Sequence, residues 1–500
     1  MTDFSGGWNP RDAWSQVADN ESPDMMNVTL DERGGITKRL GLTRLNSTTI
    51  DNSANVQSLF YSEAIDKLLA QVGADVYASS DGGATWGASI KTFTTSARCH
   101  MVDFLGSVVL IHPVDTAFTY DGTTFSSAVT NSPKGTCIAV WQNAMWSCGD
   151  STAGSESRVT RSDLGALTWP GTPVTVDVRA KDDEALTAVG GGSGMDVLGR
   201  DGLLVWKESS HYRIYDSASG AYTVENYNYG ASGPMAITTN ESLTAAICRK
   251  GIIVTQGQGD PGMVISTKIE PLFHPGQITY ANAGTMVAGN FENRMVFSIP
   301  WNASAVNNLT LEFSPTQGWF APHDFGLSSA TSYRKNTNKL FGGKVGTDSS
   351  TYGFVLDIFT GGADDGSAIT ARHQIRWFEP NRGNACRFRR LNVNGRGAFN
   401  LYFKINYDSG QGELFPISIV GDGAVWGTAV WGTDTWNADI FQDYTKMYSL
   451  GYGRSFSIEI EETSSTSGTG PNLLDDGAAE TRGAFAVYGY NLDIQPLGNN

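Results

Sequence analysis

The sequence predicts an all-β protein: a β-propeller of five to seven blades over residues 46–365, an extended N-terminal arm over residues 1–45, and a β-sandwich-type domain over residues 366–500. Three observations predict it. The composition, with 58 Gly, 13 Trp, 18 Tyr and 23 Phe against only 17% charged residues, favours a turn-rich, strand-rich chain over a helical or disordered one. Short apolar runs alternate with turn signals, and Asp81, Asp121 and Asp163 follow one another at intervals of 40 and 42 residues, the length of a four-stranded blade. Beyond the linker-like stretch at residues 361–367 the strands become longer and alternate strictly.

The arm is polar and punctuated by Pro10, Pro23, Gly34, Gly35 and Gly41. It either clasps a partner or packs back on its own propeller. Strand-like runs at residues 58–61, 67–72 and 75–78, closed by the turn at 81–86, form the first repeat. Residues 100–125 and 137–169 repeat the arrangement, and looser units follow to about residue 359. Each short sheet has too little core by itself, whereas sheets stacked around an axis bury both faces and leave only short edges.

In the last third, period-two alternation puts Phe399, Leu401, Phe403 and Ile405 on one face, as a sandwich requires. Trp426, Trp431 and Trp436, spaced by five, either anchor a neighbouring subunit or cap their own sandwich. Arg382, Arg387, Arg389 and Arg390 are the densest basic patch. Simple alternation places Arg387 and Arg389 on one face and Phe388 and Arg390 on the other, where they seat an acidic neighbour, contact DNA or stay solvated.

Residues 79–86 are similar to the Asp-box of sialidase-like propellers, in which an Asp and a Thr fasten a hairpin and a Trp packs beneath it. Ser79, Asp81, Gly83, Thr85 and Trp86 are accordingly expected to be structural. Arg158, Arg161, Arg200, Arg213, Arg249 and Arg294, with Tyr212, Tyr215 and Glu225, have spacings that select no hydrolase constellation. The six histidines are isolated, and no HExxH or paired-carboxylate pattern marks a metal. The acidic runs at 182–184 and 364–367 read as polar turns rather than calcium loops. Cys99, Cys137, Cys148, Cys248 and Cys386 are scattered, so buried free thiols are expected. No enzyme activity, cofactor or metal is expected.

A formal charge of -16 disfavours a grip on phosphate backbones but suits a surface past which DNA slides. The first residues lack a secretory signal, and no run approaches the ~20 apolar residues of a membrane span. Synthesis in a cytoplasm without a membrane anchor is the resulting expectation.

The string at residues 21–42, carried by Ser22, Pro23, Asn27, Gly34, Gly35, Lys38, Arg39 and Gly41, resembles the opening of the tailed-bacteriophage tail nozzle family (tail tubular protein B-like). The Trp-Gly repeats and the ending at residues 490–497 resemble the same group. The resemblance implies a structural virion protein of the tail: a homo-hexamer beneath a dodecameric adaptor or connector ring, touching other tail proteins or fibres. Double-stranded DNA would pass through its lumen without sequence recognition. Ser22, Pro23, Asn27, Lys38, Arg39, Arg387, Arg389, Trp426, Trp431 and Trp436 are then the candidate assembly contacts. Two alternatives stand beside it. One is a virion-associated propeller that binds or hydrolyses host glycans, with Trp206, Tyr212 and Tyr215 lining a pocket; the other is a head-completion or tail-tip protein.

Overall fold

A computed structural model describes residues 3–496 except 15, 31–34, 127, 151, 153, 180–183, 191–200, 217–220, 241–242, 257–261, 317, 336–337, 381–383, 398–399, 407–441 and 465–484. The chain forms two compact units. One comprises Met1–Thr43, Phe313–Asp324 and Ile358–Asn500; the other comprises Arg44–Glu312 and Phe325–Asp357.

The larger unit is an all-β succession of small antiparallel sheets of the propeller type. Among the described residues there are seven, taken in chain order. The first joins Val56–Ser62, Lys67–Val72, Asp75–Ser79 and Lys91–Thr92, and the second joins His100–Phe104, Ser107–Ile111 and Phe118–Tyr120. Cys137–Trp141, Ala144–Cys148, Arg158–Arg161 and Val174–Asp177 form the third. The fourth contains Leu186–Val189, Leu203–Lys207, Ser210–Asp216 and Tyr222–Asn228; the fifth contains Ile237–Asn240, Leu243–Cys248, Gly251–Thr255 and Met263–Val264. The sixth starts with Val287–Phe291, Arg294–Ile299 and Leu309–Ser314. Leu327–Tyr333, Lys339–Lys344 and Val355–Ile358 form the seventh. Tight hairpins set these registers: Gln142 and Asn143, both at positive φ (50° and 55°), turn the third sheet's first hairpin with the twist its strands need.

First strands are neighbours from the first sheet to the fourth and from the fifth to the seventh, and the seventh sheet's first strand lies against that of the first sheet. Chain-distant residues also seal the last sheet. Leu45 donates its N–H to the Val355 carbonyl (2.9 Å), and the buried Asn46 amide bonds Gly353 and Val355. The cores lie between sheets, as the stacking argument requires. Leu69, Val76, Met101 and Val108 join the first sheet to the second, while Val109, Ile111, Ile138 and Met145 join the second to the third.

In the other unit, one sheet runs in the order Asp24–Met26, Ile369–Gln374, Ser455–Ser464, Asn400–Asn406. A second sheet runs Gln442–Gly453, Cys386–Gly397, Phe485–Pro496, Ile36–Lys38, Val28–Leu30. A single apolar core, including Met25, Val28, Ile36, Phe388, Leu391, Leu401, Phe403, Phe456 and Ile460, draws on both. Leu401, Phe403 and Ile405 share the buried face that alternation predicts, and Phe399 lies outside the described residues.

Two expectations need correction. The N-terminal 43 residues are not a separate arm, because their short strands are built into both sheets of this unit, with Asp24 opposite Gln374 and Thr37 opposite Ala486. The unit boundary therefore falls inside the 1–45 segment, and residues 313–324 cluster with the chain's two ends rather than with the larger unit. The second correction concerns the arginine strand. A β-bulge between Phe388 and Arg390 resets its phase, so Phe388 and Leu391 are both buried, Arg389 is exposed at the bulge, and Arg390 returns to the face of Arg387.

Candidate assembly surfaces

The Asp-box-like turn is a fastener in every hydrogen bond it makes. Asp81 Oδ1 accepts from Ser79 Oγ (2.7 Å) and from the Thr85 N–H (3.0 Å), and Oδ2 accepts from Thr85 Oγ1 (2.5 Å). Ser79 Oγ in turn accepts the Gly83 N–H (2.9 Å), and Trp86 Nε1 donates to the Gly83 carbonyl (2.9 Å). Gly83 sits at φ 97°, a conformation that glycine adopts without strain. Burial raises the Asp81 carboxyl's pKa, but the hydrogen bonds from Thr85 and Ser79 outweigh it and hold the group down at about 2. Asp121 repeats the device on the Thr123 and Thr124 N–H groups, and Thr168 Oγ1 donates to Asp163 (2.8 Å).

The arm residues expected to grip other subunits are engaged inside their own unit. Ser22 Oγ donates to the Gln374 carbonyl (2.7 Å), and Pro23 is buried. Asn27, at φ 56°, donates to the Thr370 carbonyl (2.8 Å) and accepts from Arg39 Nε (2.9 Å) and the Asp324 N–H (3.1 Å). The guanidinium of Arg39, 1% exposed, forks onto both Asp364 oxygens (2.8 and 2.5 Å). Lys38, 2% exposed, pairs with Glu462 at 2.5 Å and ties a strand of one sheet to a strand of the other. Gly41 is a glycine because a Cβ there would lie 2.1 Å from the Ala363 carbonyl oxygen. A stretch that reads as a free arm is thus internal stapling. Lys38 and Arg39 keep their charges buried because each has a carboxylate.

Arg389 is exposed and Arg387 is half-buried, lying over the ring of Tyr452, which is 48% exposed. Trp426, Trp431 and Trp436 lie outside the described residues.

The residues offered for a glycan site go elsewhere. Trp206, Tyr212 and Tyr215 are core side chains at 0%, 1% and 7% exposure. Arg213 and Glu225 are a cross-strand pair (3.7 Å), and Tyr227 donates to Glu225 (2.7 Å). Burial and the Glu225 carboxylate raise the Tyr227 phenol's pKa, so it is held protonated, the opposite of an activated nucleophile. Arg158 pairs with Asp177, Arg161 bonds Tyr222, Arg249 pairs with Glu208 and Arg294 pairs with Glu312; Arg200 lies outside the described residues. Among the described residues no group of three His, Cys, Asp or Glu side chains is placed to hold a metal. All five cysteines are buried and free. No helix among the described residues is long and apolar enough to cross a membrane.

Sequence reasoning missed Arg98. It precedes the second sheet, yet donates to the carbonyls of Gly284, ahead of the sixth sheet, and of Ser328 in the seventh (3.3 and 3.0 Å). Desolvation pushes its pKa down to about 10. The middle of the larger unit is therefore narrow enough for one arginine to bridge. No local signal marks this, because both acceptors are main-chain atoms about two hundred residues away. In the smaller unit, Arg376, Trp377, Phe378, Phe456 and Ile494 line a pocket of about 410 Å³, with the Arg376 guanidinium 4.3 Å above the Phe378 ring and paired with Asp19.

No protein-family model and no curated protein matches the chain. Among solved structures it is similar to BamB from Moraxella catarrhalis, with a TM-score of 0.38 and 10% identity over 66% of this chain and 93% of that one. It is also similar to BBS1N in its complex with ARL6DN (TM-score 0.41, 11% identity, 64% and 96% of the chains). A third likeness is to PorZ, a surface component of the type-IX secretion system of Porphyromonas gingivalis (TM-score 0.36, 10% identity, 60% and 36% of the chains). At these values the likenesses carry no argument about what this chain does.

Proposed function

We propose that the chain is a non-enzymatic structural subunit of a bacteriophage tail nozzle, with a seven-bladed propeller and a β-sandwich as its two bodies. The observation that carries the reading is the use of its polar residues. The Asp81 turn, the Arg39–Asp364 and Lys38–Glu462 pairs and the Tyr227–Glu225 contact all fasten the chain to itself. Groups with catalytic potential are thereby committed to architecture, as a load-bearing scaffold requires. The nozzle resemblance at residues 21–42 supplies the place in the virion, and the charge of -16 fits a wall that DNA passes without adhering.

Arg98 sharpens the geometry of that wall. A duplex whose major groove alone is about 12 Å wide cannot thread a propeller axis that one arginine bridges. The channel is thus formed between copies arranged around the tail axis, six in the proposed ring, below the adaptor. Quantitative mass spectrometry of purified particles tests this reading: six copies of the chain per connector are expected. Absence from the particle, or a copy number matching peripheral trimers, overturns it.

A further inference from the structure

Many arginines in this chain are matched to carboxylates, although Arg98 bonds main-chain carbonyls and Arg161 a phenol instead. Among the described residues Arg11, Arg39, Arg158, Arg213, Arg249, Arg294, Arg372 and Arg376 each lie within ion-pair distance of an Asp or Glu. That pattern is what an acidic chain, with 51 Asp and Glu against 35 Lys and Arg, makes easy. Arg387, Arg389 and Arg390 are a cluster without such a match. They lie within four residues on the second strand of the five-stranded sheet, and none has a carboxylate partner among the described residues.

The β-bulge gathers them. It brings Arg390 onto the face of Arg387 and leaves Arg389 exposed between them, so a pattern that alternation would divide between two faces becomes one basic patch. Arg387 lies over the exposed ring of Tyr452 (5.7 Å), and its Nε has no hydrogen-bond partner. Arg390 Nε bonds Asn392 Oδ1 (3.1 Å). On one adjacent strand Arg390 faces Asp493 and Arg387 faces Gln495, both exposed, so among the described residues of that strand a single carboxylate faces the arginines. Tyr452 beside Arg387 adds a flat apolar surface of the kind enriched at protein interfaces.

We infer that this face docks a carboxylate-bearing surface of a second copy of the same chain. Charge complementarity selects the occupant. The molecule as a whole repels phosphate backbones, while its own excess of carboxylates makes another copy the natural counter-surface. A basic patch meeting a different, acidic patch is a heterologous contact, and such contacts generate rings when the rotation closes. The inference rests on the nozzle reading, to which it adds a specific subunit interface.

Sedimentation velocity of the purified full chain across a salt series tests it. Wild type is expected to self-associate, and to do so less as salt rises. R387Q/R389Q/R390Q is expected to associate about tenfold more weakly with a flattened salt dependence, whereas the charge-keeping R387K/R389K/R390K retains the salt-dependent association. Unchanged thermal melting in both variants shows that the fold is intact. Equal association of wild type and the glutamine variant, or a monomeric wild type at every salt concentration, overturns the interface. So does duplex DNA binding that wild type shows and the glutamine variant loses, because the patch then belongs to phosphate. Copy number per particle is measured independently, so six copies alongside an unaffected glutamine variant would overturn this contact and leave the nozzle reading standing.

Discussion

Asp81 anchors a hairpin turn through its hydrogen bonds to Ser79 and Thr85 rather than through any chemistry on a substrate. Its Asp81→Ala variant is expected to lose about 1–2 kcal/mol, with faster hydrogen exchange confined to residues 79–86. The acid response has a definite sign. With the folded pKa near 2 and the ordinary value at 3.8, the turn's electrostatic contribution is complete above about pH 4 and is lost as pH falls through 2. His373 responds at milder pH. Its ring is 2% exposed, the Phe4 ring meets it edge-on at 5.4 Å, Nδ1 has no hydrogen-bond partner, and desolvation pushes its pKa down to about 3. A depressed pKa means that the neutral ring's contribution is complete above about 6.5 and is lost as pH falls toward 3. Urea titrations at pH 7 and pH 5 should therefore show wild type losing stability where His373→Phe loses less. Parallel losses in the two proteins would remove His373 as the cause. In the same unit, Lys38→Met strands Glu462 in the core and is expected to cost about 3–5 kcal/mol, read as a lowered melting temperature.

Neighbouring sheets of the larger unit are joined by short polar latches as well as by apolar cores. Gln71, in the first sheet, accepts the Cys99 N–H (2.7 Å) and donates to the Ala97 carbonyl (2.8 Å), both at the entry to the second. His100 Nδ1 accepts the Ile138 N–H (3.4 Å), and Cys137 Sγ accepts the Val189 N–H (3.4 Å), linking the second sheet to the third and the third to the fourth. Asn290 donates to the Thr239 carbonyl (2.6 Å), and Thr331 Oγ1 accepts the Tyr61 N–H (3.2 Å), joining the fifth sheet to the sixth and the seventh to the first. Gln71→Leu leaves a buried N–H and a carbonyl without partners and should destabilise the unit by about 2–4 kcal/mol; a melting temperature within a degree of wild type would show the latch to be dispensable. The sheets themselves were legible because hairpins are local: each strand's partner lies a few residues away, and the Asp81, Asp121 and Asp163 turns mark the repeat. The N-terminal strands were not. They are two or three residues long, too short to show a period, and Asp24 finds its partner Gln374 three hundred and fifty residues on. The bulge at Arg389 was invisible for a different reason, since the sequence Arg387, Phe388, Arg389 alternates as well as an unbroken strand would.

The smaller unit joins both ends of the chain, and the larger one is closed by residues that follow the N-terminal segment. Residues 1–43 complete the sheets built mainly from residues 369–496, and Leu45 and Asn46 seal the seventh sheet of the larger unit. Truncation of residues 1–46 should therefore unfold more than a flexible arm would, which near-ultraviolet circular dichroism and limited proteolysis can follow. Retention of both cores by the truncated chain would return these residues to the status of an appendage. The same economy explains the pattern of charges. Cations that the sequence offered as contacts, Lys38 and Arg39, are neutralised within the unit, whereas the arginines gathered by the bulge remain on its surface. A density map of purified virions tests the proposed role most directly. The nozzle reading predicts six copies around the tail axis below the connector, with a lumen between copies; the chain lying off that axis as a peripheral trimer, or the duplex running through a single propeller, would contradict it.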